Sequence, residues 1–487
     1  MRTFVAATAF TVALLAGASV AMGADIGAND DSAKHSADAG ASMYREMAAL
    51  GLRQTVIAVR FKPSEAVVIQ DKQLLDRAIP NAVAAGLRVV LAVYPYPPKE
   101  IEAGLGSPSL FGSYVGALAS VYPQVKQFVI GNEPNQPAFW RPQFDASGTN
   151  MSAASFGAYL AAAYDALNAV DPEISVVGVG LSPRGNDRPE ARNNVSTSPV
   201  RFLRSLGAWY RKSGRALPLM DGFSFHPYPN QATDPLDRGY AWPNAGFANL
   251  DRIKQALWDA FDGTAQPTTF EGLKLYLDEV GWQVDTRGRS GYHGAENVPV
   301  TDELTQAAIY GELIRMAACD PDVAEVSFFG FRDDGLRSGF QAALQRADGT
   351  VRPSAEAVRA AIAETNGGCH SPASLWVPHA DVVGAQVAVG SAHASEVTAR
   401  IAAGEDARAL VCVRAVPGSG SGDVIERAVR SPVARCRTVA VAGLRPLSVA
   451  VPTPAGAREE VEVAVELAAE SNRDRRTIVV RYAALEA

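Results

Sequence analysis

Gln127-Phe-Val-Ile-Gly-Asn-Glu-Pro-Asn135 is the stretch on which the reading of the chain turns. Its first half is the apolar and small pattern of a buried strand. Pro134 lacks a backbone N–H and would break a sheet ladder, so the strand must stop at or before it. That leaves Glu133 at the carboxyl end of a buried parallel strand, where open and closed α/β sheets build their sites. A carboxylic acid buried at such a place has a raised pKa and can donate a proton at neutral pH. In isolation the same tetrapeptide also reads as a strand end with a solvated turn, so a second carboxylate has to come from elsewhere in the chain.

Working outward, apolar runs at 24–29, 55–61, 88–93, 127–131, 175–179, 222–225, 273–277 and 326–330 alternate with helical stretches, the last of them at 354–364. Eight strands, each followed by a helix, in roughly 340 residues fit the arithmetic of an α/β protein of the (β/α)8 TIM barrel class. The strand runs are continuously apolar, as a parallel sheet buried on both faces requires. A doubly wound sheet is the competing architecture. Its dinucleotide fingerprint is missing, because Gly178-Val-Gly180 is followed by no glycine until Gly185.

Beyond the run Thr365-Asn-Gly-Gly368 the helical period gives way to β-branched runs at 382–389, 396–401, 409–413, 437–441, 447–451, 461–467 and 477–482. Seven short strands at this spacing predict a small C-terminal antiparallel β-sandwich domain. Trp376 is its one tryptophan, too few aromatics for a sugar-binding module, so it is expected to serve as a structural partner packed on the barrel. The division expected is a signal peptide at 1–23, a catalytic barrel at 24–368 and a β-sandwich accessory domain at 369–487. The leader reading rests on Arg2, the apolar run 4–20 and Ala21-Met-Gly23 before the cleavage point; an uncleaved N-terminal anchor is the alternative. It places the protein outside the cytoplasm, secreted or periplasmic. The cysteines Cys319, Cys369, Cys412 and Cys436 suit an oxidising compartment. Their order and domain placement favour Cys319–Cys369 and Cys412–Cys436.

The 487 residues are 47% hydrophobic and 20% charged, which is ordinary for a globular chain with a large core. A net charge of −7 without a basic block argues against a nucleic-acid partner. No further run is apolar enough to span a membrane once the leader is cleaved. A monomer without metal or other cofactor is expected.

The second carboxylate is found in Tyr276-Leu-Asp-Glu-Val-Gly-Trp282. Glu279 stands where the seventh strand gives way to Gly281. Glu133 and Glu279 then top the fourth and seventh strands and point across one mouth. The sixth strand ends in Phe225-His226-Pro-Tyr228 and the second in Val59-Arg60-Phe61. Asp278 precedes Glu279, and strand alternation should turn it away from the mouth. Asp333 raises the same question as a further carboxylate nearby.

This set resembles the clan of retaining (β/α)8-barrel glycoside hydrolases that includes the family 5 cellulases and mannanases and the family 39 xylosidases. The likeness covers residues 24 to about 365. Asn132-Glu133-Pro134 looks like the clan's acid/base motif, Glu279 its nucleophile, His226 and Tyr228 its strand 6 pair, and Arg60 its strand 2 arginine. Where the clan often has a strand 8 tryptophan, this chain has Ser327-Phe-Phe-Gly-Phe-Arg332.

The resemblance implies double displacement at an O-glycosidic bond of an oligo- or polysaccharide, with a β linkage expected. Glu279 would stay ionised with help from Arg60 and Tyr228, Glu133 would hold a proton beside that charge, and Asn132 would bind a sugar hydroxyl. Trp140, Trp282, Tyr94, Tyr96 and Tyr292 fall in expected mouth loops and are candidates for stacking on sugars. Asp25 and Asn29 are candidates for sugar hydroxyls. A metal-dependent barrel hydrolase would need clustered histidines, and the six present form no His-x-His or His-Glu-x-x-His. A non-catalytic carbohydrate-binding protein on a barrel scaffold and a transglycosylase with the same residues are the other readings.

Overall fold

The computed structural model describes residues 23–366, 368–369, 376, 378, 382, 384–415, 434–457, 460–471 and 475–485. Residues 1–22 of the expected leader lie outside the described residues.

Eight parallel strands close into a barrel: β1 (Asp25–Asn29), β2 (Gln54–Phe61), β3 (Arg88–Pro95), β4 (Gln127–Ile130), β5 (Ser175–Leu181), β6 (Gly222–Phe225), β7 (Lys274–Val280) and β8 (Val323–Phe329), with β8 pairing back to β1. The helices are α1 (Ala41–Leu50), α2 (Lys72–Ala84), α3 (Pro98–Glu102), α4 (Pro108–Val121), α5 (Ser152–Val170), α6 (Pro199–Ser213), α7 (Leu250–Phe261), α8 (Glu303–Ala318) and α9 (Pro353–Thr365). The short α3 follows β3 after a brief proline-rich link. Pro98 is its first residue, where the missing N–H costs nothing and the fixed φ suits the helix.

Strand alternation sorts the side chains. Phe128 and Ile130 of β4 face outward into the large core shared with the helices, together with Leu275 and Leu277 of β7. Val56, Val90, Ala92, Val129 and Val177 face inward and pack with Tyr276 into a plug across the barrel. Below the plug the interior is polar. Glu325 accepts hydrogen bonds from Arg88 (3.2 Å), Gln127 (3.0 Å) and Ser327 (3.1 Å). Ala92 at the top of the plug and the small Ala58 leave the mouth open.

After the barrel, β9 (Gln386–Ala392), β10 (Glu396–Ala402) and β13 (Leu447–Pro452) form one antiparallel sheet in the order β13-β10-β9. β12 (Arg435–Val441), β11 (Ala407–Ala415), β14 (Glu460–Ala469) and β15 (Arg476–Ala484) form the other, in that order. Val397 and Ile401 from the first sheet share one buried core with Val411 and Val463 from the second. This is the small β-sandwich expected from the spacing. Disulfides join Cys319 to Cys369 and Cys412 to Cys436.

Candidate active site

Glu133 reaches the mouth through an unusual piece of backbone. Gly131, just past β4, takes φ +114°, and a Cβ there would sit 2.4 Å from the Val179 carbonyl oxygen. Only glycine permits that approach of β4 to β5. Glu133 itself is left-handed, with φ +43°, and its N–H donates to the Gly180 carbonyl at 2.6 Å. A non-glycine residue held in this region stores strain that the surroundings must hold in place, a pattern that clusters at functional sites.

Glu279 arrives by a different device. Along the β7–β8 ladder Leu277 pairs with Val326 and Val280 with Phe328, so β7 spends three steps where β8 spends two. The extra residue is a β-bulge, and it re-aims a side chain. Asp278 therefore keeps the inward direction of Tyr276, and Glu279 turns inward as well. Asp278 stays off the wall of the mouth, as expected, but by pointing into the interior beneath it. Asp278 sits beneath the mouth, fully buried, accepting from the Ser224 hydroxyl.

His226 binds the group together. Its Nδ1 lies 3.4 Å from Glu133 Oε1 and 3.5 Å from Glu279 Oε2, and its Nε2 lies 3.6 Å from Asp278 Oδ1. Since both glutamate distances start at one atom, those two carboxylate oxygens lie no more than about 7 Å apart. The Tyr228 hydroxyl donates to Glu279 Oε2 at 3.0 Å, and Asn29 Nδ2 donates to Glu279 Oε1 at 3.3 Å.

The electrostatics follow from burial and this crowding. Burial is the largest influence on Glu279 and lifts its carboxyl to about 7. Glu133 and Asp278 push the same way, while His226 and the Tyr228 hydrogen bond oppose them. Burial alone would discharge His226, but Glu279, Asp278 and Glu133 outweigh it and raise the imidazole well above its ordinary value. Burial, then the Glu279 and Glu133 charges, holds Tyr228 protonated as a donor. The sequence had assigned the raised carboxyl to Glu133 and a readily ionised one to Glu279; the structure raises Glu279.

Glu133, Glu279 and Tyr228 line a cavity of about 1230 Å³ with Asn132, Arg60, Tyr94 and Asn29, whereas His226 is buried and not part of its lining. Several expectations need correction. Trp140 and Trp282 do not reach it. Trp140 is 1% exposed and packs edge-on against Phe156 and Tyr159; Trp282 is 2% exposed and donates its indole N–H to the Asp234 carbonyl. A large apolar ring in a loop reads alike whether it stacks on a ligand or plugs the gap beneath the loop. Tyr292 donates to Asp333 at 2.6 Å instead of lining the cavity, and Asp333 is held by Arg352. Asp25 lies at the opposite end of β1, tied to Arg53 and Arg88. Arg60 engages the Tyr94 hydroxyl at 3.4 Å and stacks over Tyr96 at 5.0 Å, in place of the expected contact with Glu279.

The sequence also missed part of the wall. Phe139, Tyr240, Phe329 and Phe340 line the cavity. Phe329 and Phe340 pack edge-on with each other and with Tyr228. Phe329 ends β8, where alternation from Ser327 would have pointed it inward.

No protein-family model matches the chain, and no curated protein is similar to it in sequence. Among solved structures, it is similar to a family 39 glycoside hydrolase from Bacteroides cellulosilyticus WH2, at 12% identity over 89% of this chain and 81% of that one, with a TM-score of 0.49. A glucosidase from Croceicoccus marinus shares 12% identity over 92% and 94% of the two chains, with a TM-score of 0.46. A monomeric β-xylosidase from Caulobacter crescentus CB15 shares 16% over 92% and 96%, with a TM-score of 0.43. At this distance nothing about activity carries over from them.

Proposed function

We propose that the chain is a retaining glycosidase that hydrolyses O-glycosidic bonds, β-linked, in an oligo- or polysaccharide. The observation that carries this is the pair Glu133 and Glu279, within hydrogen-bonding range of one imidazole nitrogen and facing one cavity. Retaining sites hold their carboxyls about 5–5.5 Å apart and inverting sites about 6.5–9.5 Å. A limit of about 7 Å between two of their oxygens accommodates the retaining spacing.

In the first step Glu279 attacks the anomeric carbon while Glu133 protonates the departing oxygen, through an oxocarbenium-like transition state. Tyr228 and Asn29 hold both oxygens of Glu279, so its line of attack is set before the sugar binds. The attack turns Glu279 into a neutral glycosyl ester. Glu133, having given its proton to the leaving group, then takes one from the water that displaces the sugar from Glu279. His226, carrying positive charge, steadies whichever carboxylate is ionised. Asn132, on the cavity wall, offers an amide to a sugar hydroxyl.

We further propose that residues 1–23 are an export leader, that 24–368 and 369–487 are a catalytic and an accessory unit, and that the exported chain acts as a monomer. The two disulfides are compatible with export.

Glu133→Gln tests the acid role. Its kcat on alkyl glycosides should fall about 10²–10⁴-fold, with a much smaller loss on glycosides whose leaving group needs no proton. Near wild-type rates on the alkyl glycosides would remove Glu133 from that role.

A further inference from the structure

We infer that the cavity is built for an anionic sugar, whose carboxylate or sulfate ester docks on Arg60. This rests on the glycosidase reading and names its substrate class.

Most charges around the cavity are already answered. Asp30 accepts from the backbone N–H groups of Phe331 and Arg332, Asp31 pairs with Lys34, and Asp333 pairs with Arg352. Arg332 reaches Glu46. Arg60 and Arg184 differ: among the described residues neither has a carboxylate partner. Arg60 spends its Nε on the Tyr94 hydroxyl, and its two terminal amino groups find no acceptor among the described residues. Arg184 gives one N–H to the Asn230 carbonyl at 3.2 Å. Arg60 and Arg184 are thus the cations of the cavity lining that have no carboxylate partner among the described residues.

Arg60 is also held ready. The Tyr96 face at 5.0 Å and the Tyr94 hydroxyl fix its plane, which lowers the ordering cost of binding. The free edge of a guanidinium matches a planar carboxylate with two parallel hydrogen bonds. Arg60 and Arg184 line the same cavity that Glu133 and Glu279 face.

The test compares aryl β-glucoside, aryl β-glucuronide and 6-O-sulfated aryl β-glucoside on wild type, Arg60→Gln and Arg60→Lys. Wild type should favour one anionic arm over the neutral one by at least about 10-fold in kcat/KM, and the arm favoured tells carboxylate from sulfate. Arg60→Gln should cut that preference by about 10–100-fold, and Arg60→Lys should restore part of it. A neutral arm that is equal or better, or an Arg60→Gln loss equal on every arm, overturns the inference while leaving the glycosidase reading standing. If no arm is turned over, calorimetric titration of wild type with a uronic-acid oligosaccharide and its carboxyl-reduced form decides. Tighter, salt-sensitive binding of the acid supports the anion site and counts against hydrolysis, whereas equal or absent binding overturns it.

Discussion

Glu325 at the base of the barrel and Glu279 at its mouth are inward-facing carboxylates on neighbouring strands, yet they are held in opposite ways. Glu325 is fully buried and receives three donors, from Arg88, Gln127 and Ser327. Glu279 keeps 16% of its side chain open to the cavity and has two other carboxylates close by. Burial is the largest influence on both and raises both. What separates them is the company. At the base a buried charge is matched and ties four strands together, since Gln127, Arg88, Ser327 and Glu325 come from β4, β3 and β8 with Gln54 of β2 bonded to Ser327. At the mouth like charges are forced together around one imidazole. An arrangement of that kind costs stability and is retained for reactivity.

The contrast can be broken most sharply at Glu279. Glu279→Gln should lower kcat by about 10⁴-fold or more, because the nucleophile itself is lost. Its thermal midpoint should stay within a few degrees of wild type or rise, since a crowded charge has been removed. A large drop in the midpoint would mean that the mouth is held like the base. The converse change is Arg88→Met. It leaves Glu325 buried with neutral donors only, and should cost about 2–3 kcal/mol in denaturant unfolding, below the full penalty of a buried pair because Arg88 is 40% exposed. KM should barely move. A change confined to kcat/KM, with unfolding unaffected, would erase the distinction between the two ends.

The smallest effect concerns pH. Glu279 must be ionised to attack, and its value of about 7 places an acid limb of kcat/KM near pH 7. The Tyr228 hydrogen bond favours the charged form, so Tyr228→Phe should move that limb upward by about one unit. A limb that stays in place, or moves down, would show that Tyr228 does not act on Glu279. The same value has a sign for stability. Because the folded carboxyl binds its proton more tightly than an ordinary glutamate, this group favours the fold at low pH. That contribution is lost as pH rises from about 4.5 to about 7.

The barrel was legible because its signals are periodic: eight apolar runs with helices between them say parallel sheet whatever the loops do. The two glutamates were legible because Pro134 and Gly281 end their strands beside them. The bulge that turns Glu279 inward directly after Asp278 left no mark, since an inserted residue looks like any other until the partner strand is seen. Trp140 and Trp282 were misread because a tryptophan beside the mouth and one beneath it have the same sequence neighbours. The pairing of Arg60 with Tyr94 and Tyr96 depends on β2 and β3 lying in register, Arg60 opposite Tyr94, which no local pattern announces.

The central claim is that Glu133 and Glu279 work from opposite sides of one glycosidic bond through a covalent intermediate. Following the first-formed sugar by proton NMR during hydrolysis of an aryl β-glycoside, before mutarotation, tests it most directly. The account predicts that the β anomer appears first. First appearance of the α anomer would contradict it, making Glu279 a base that activates water instead of the nucleophile.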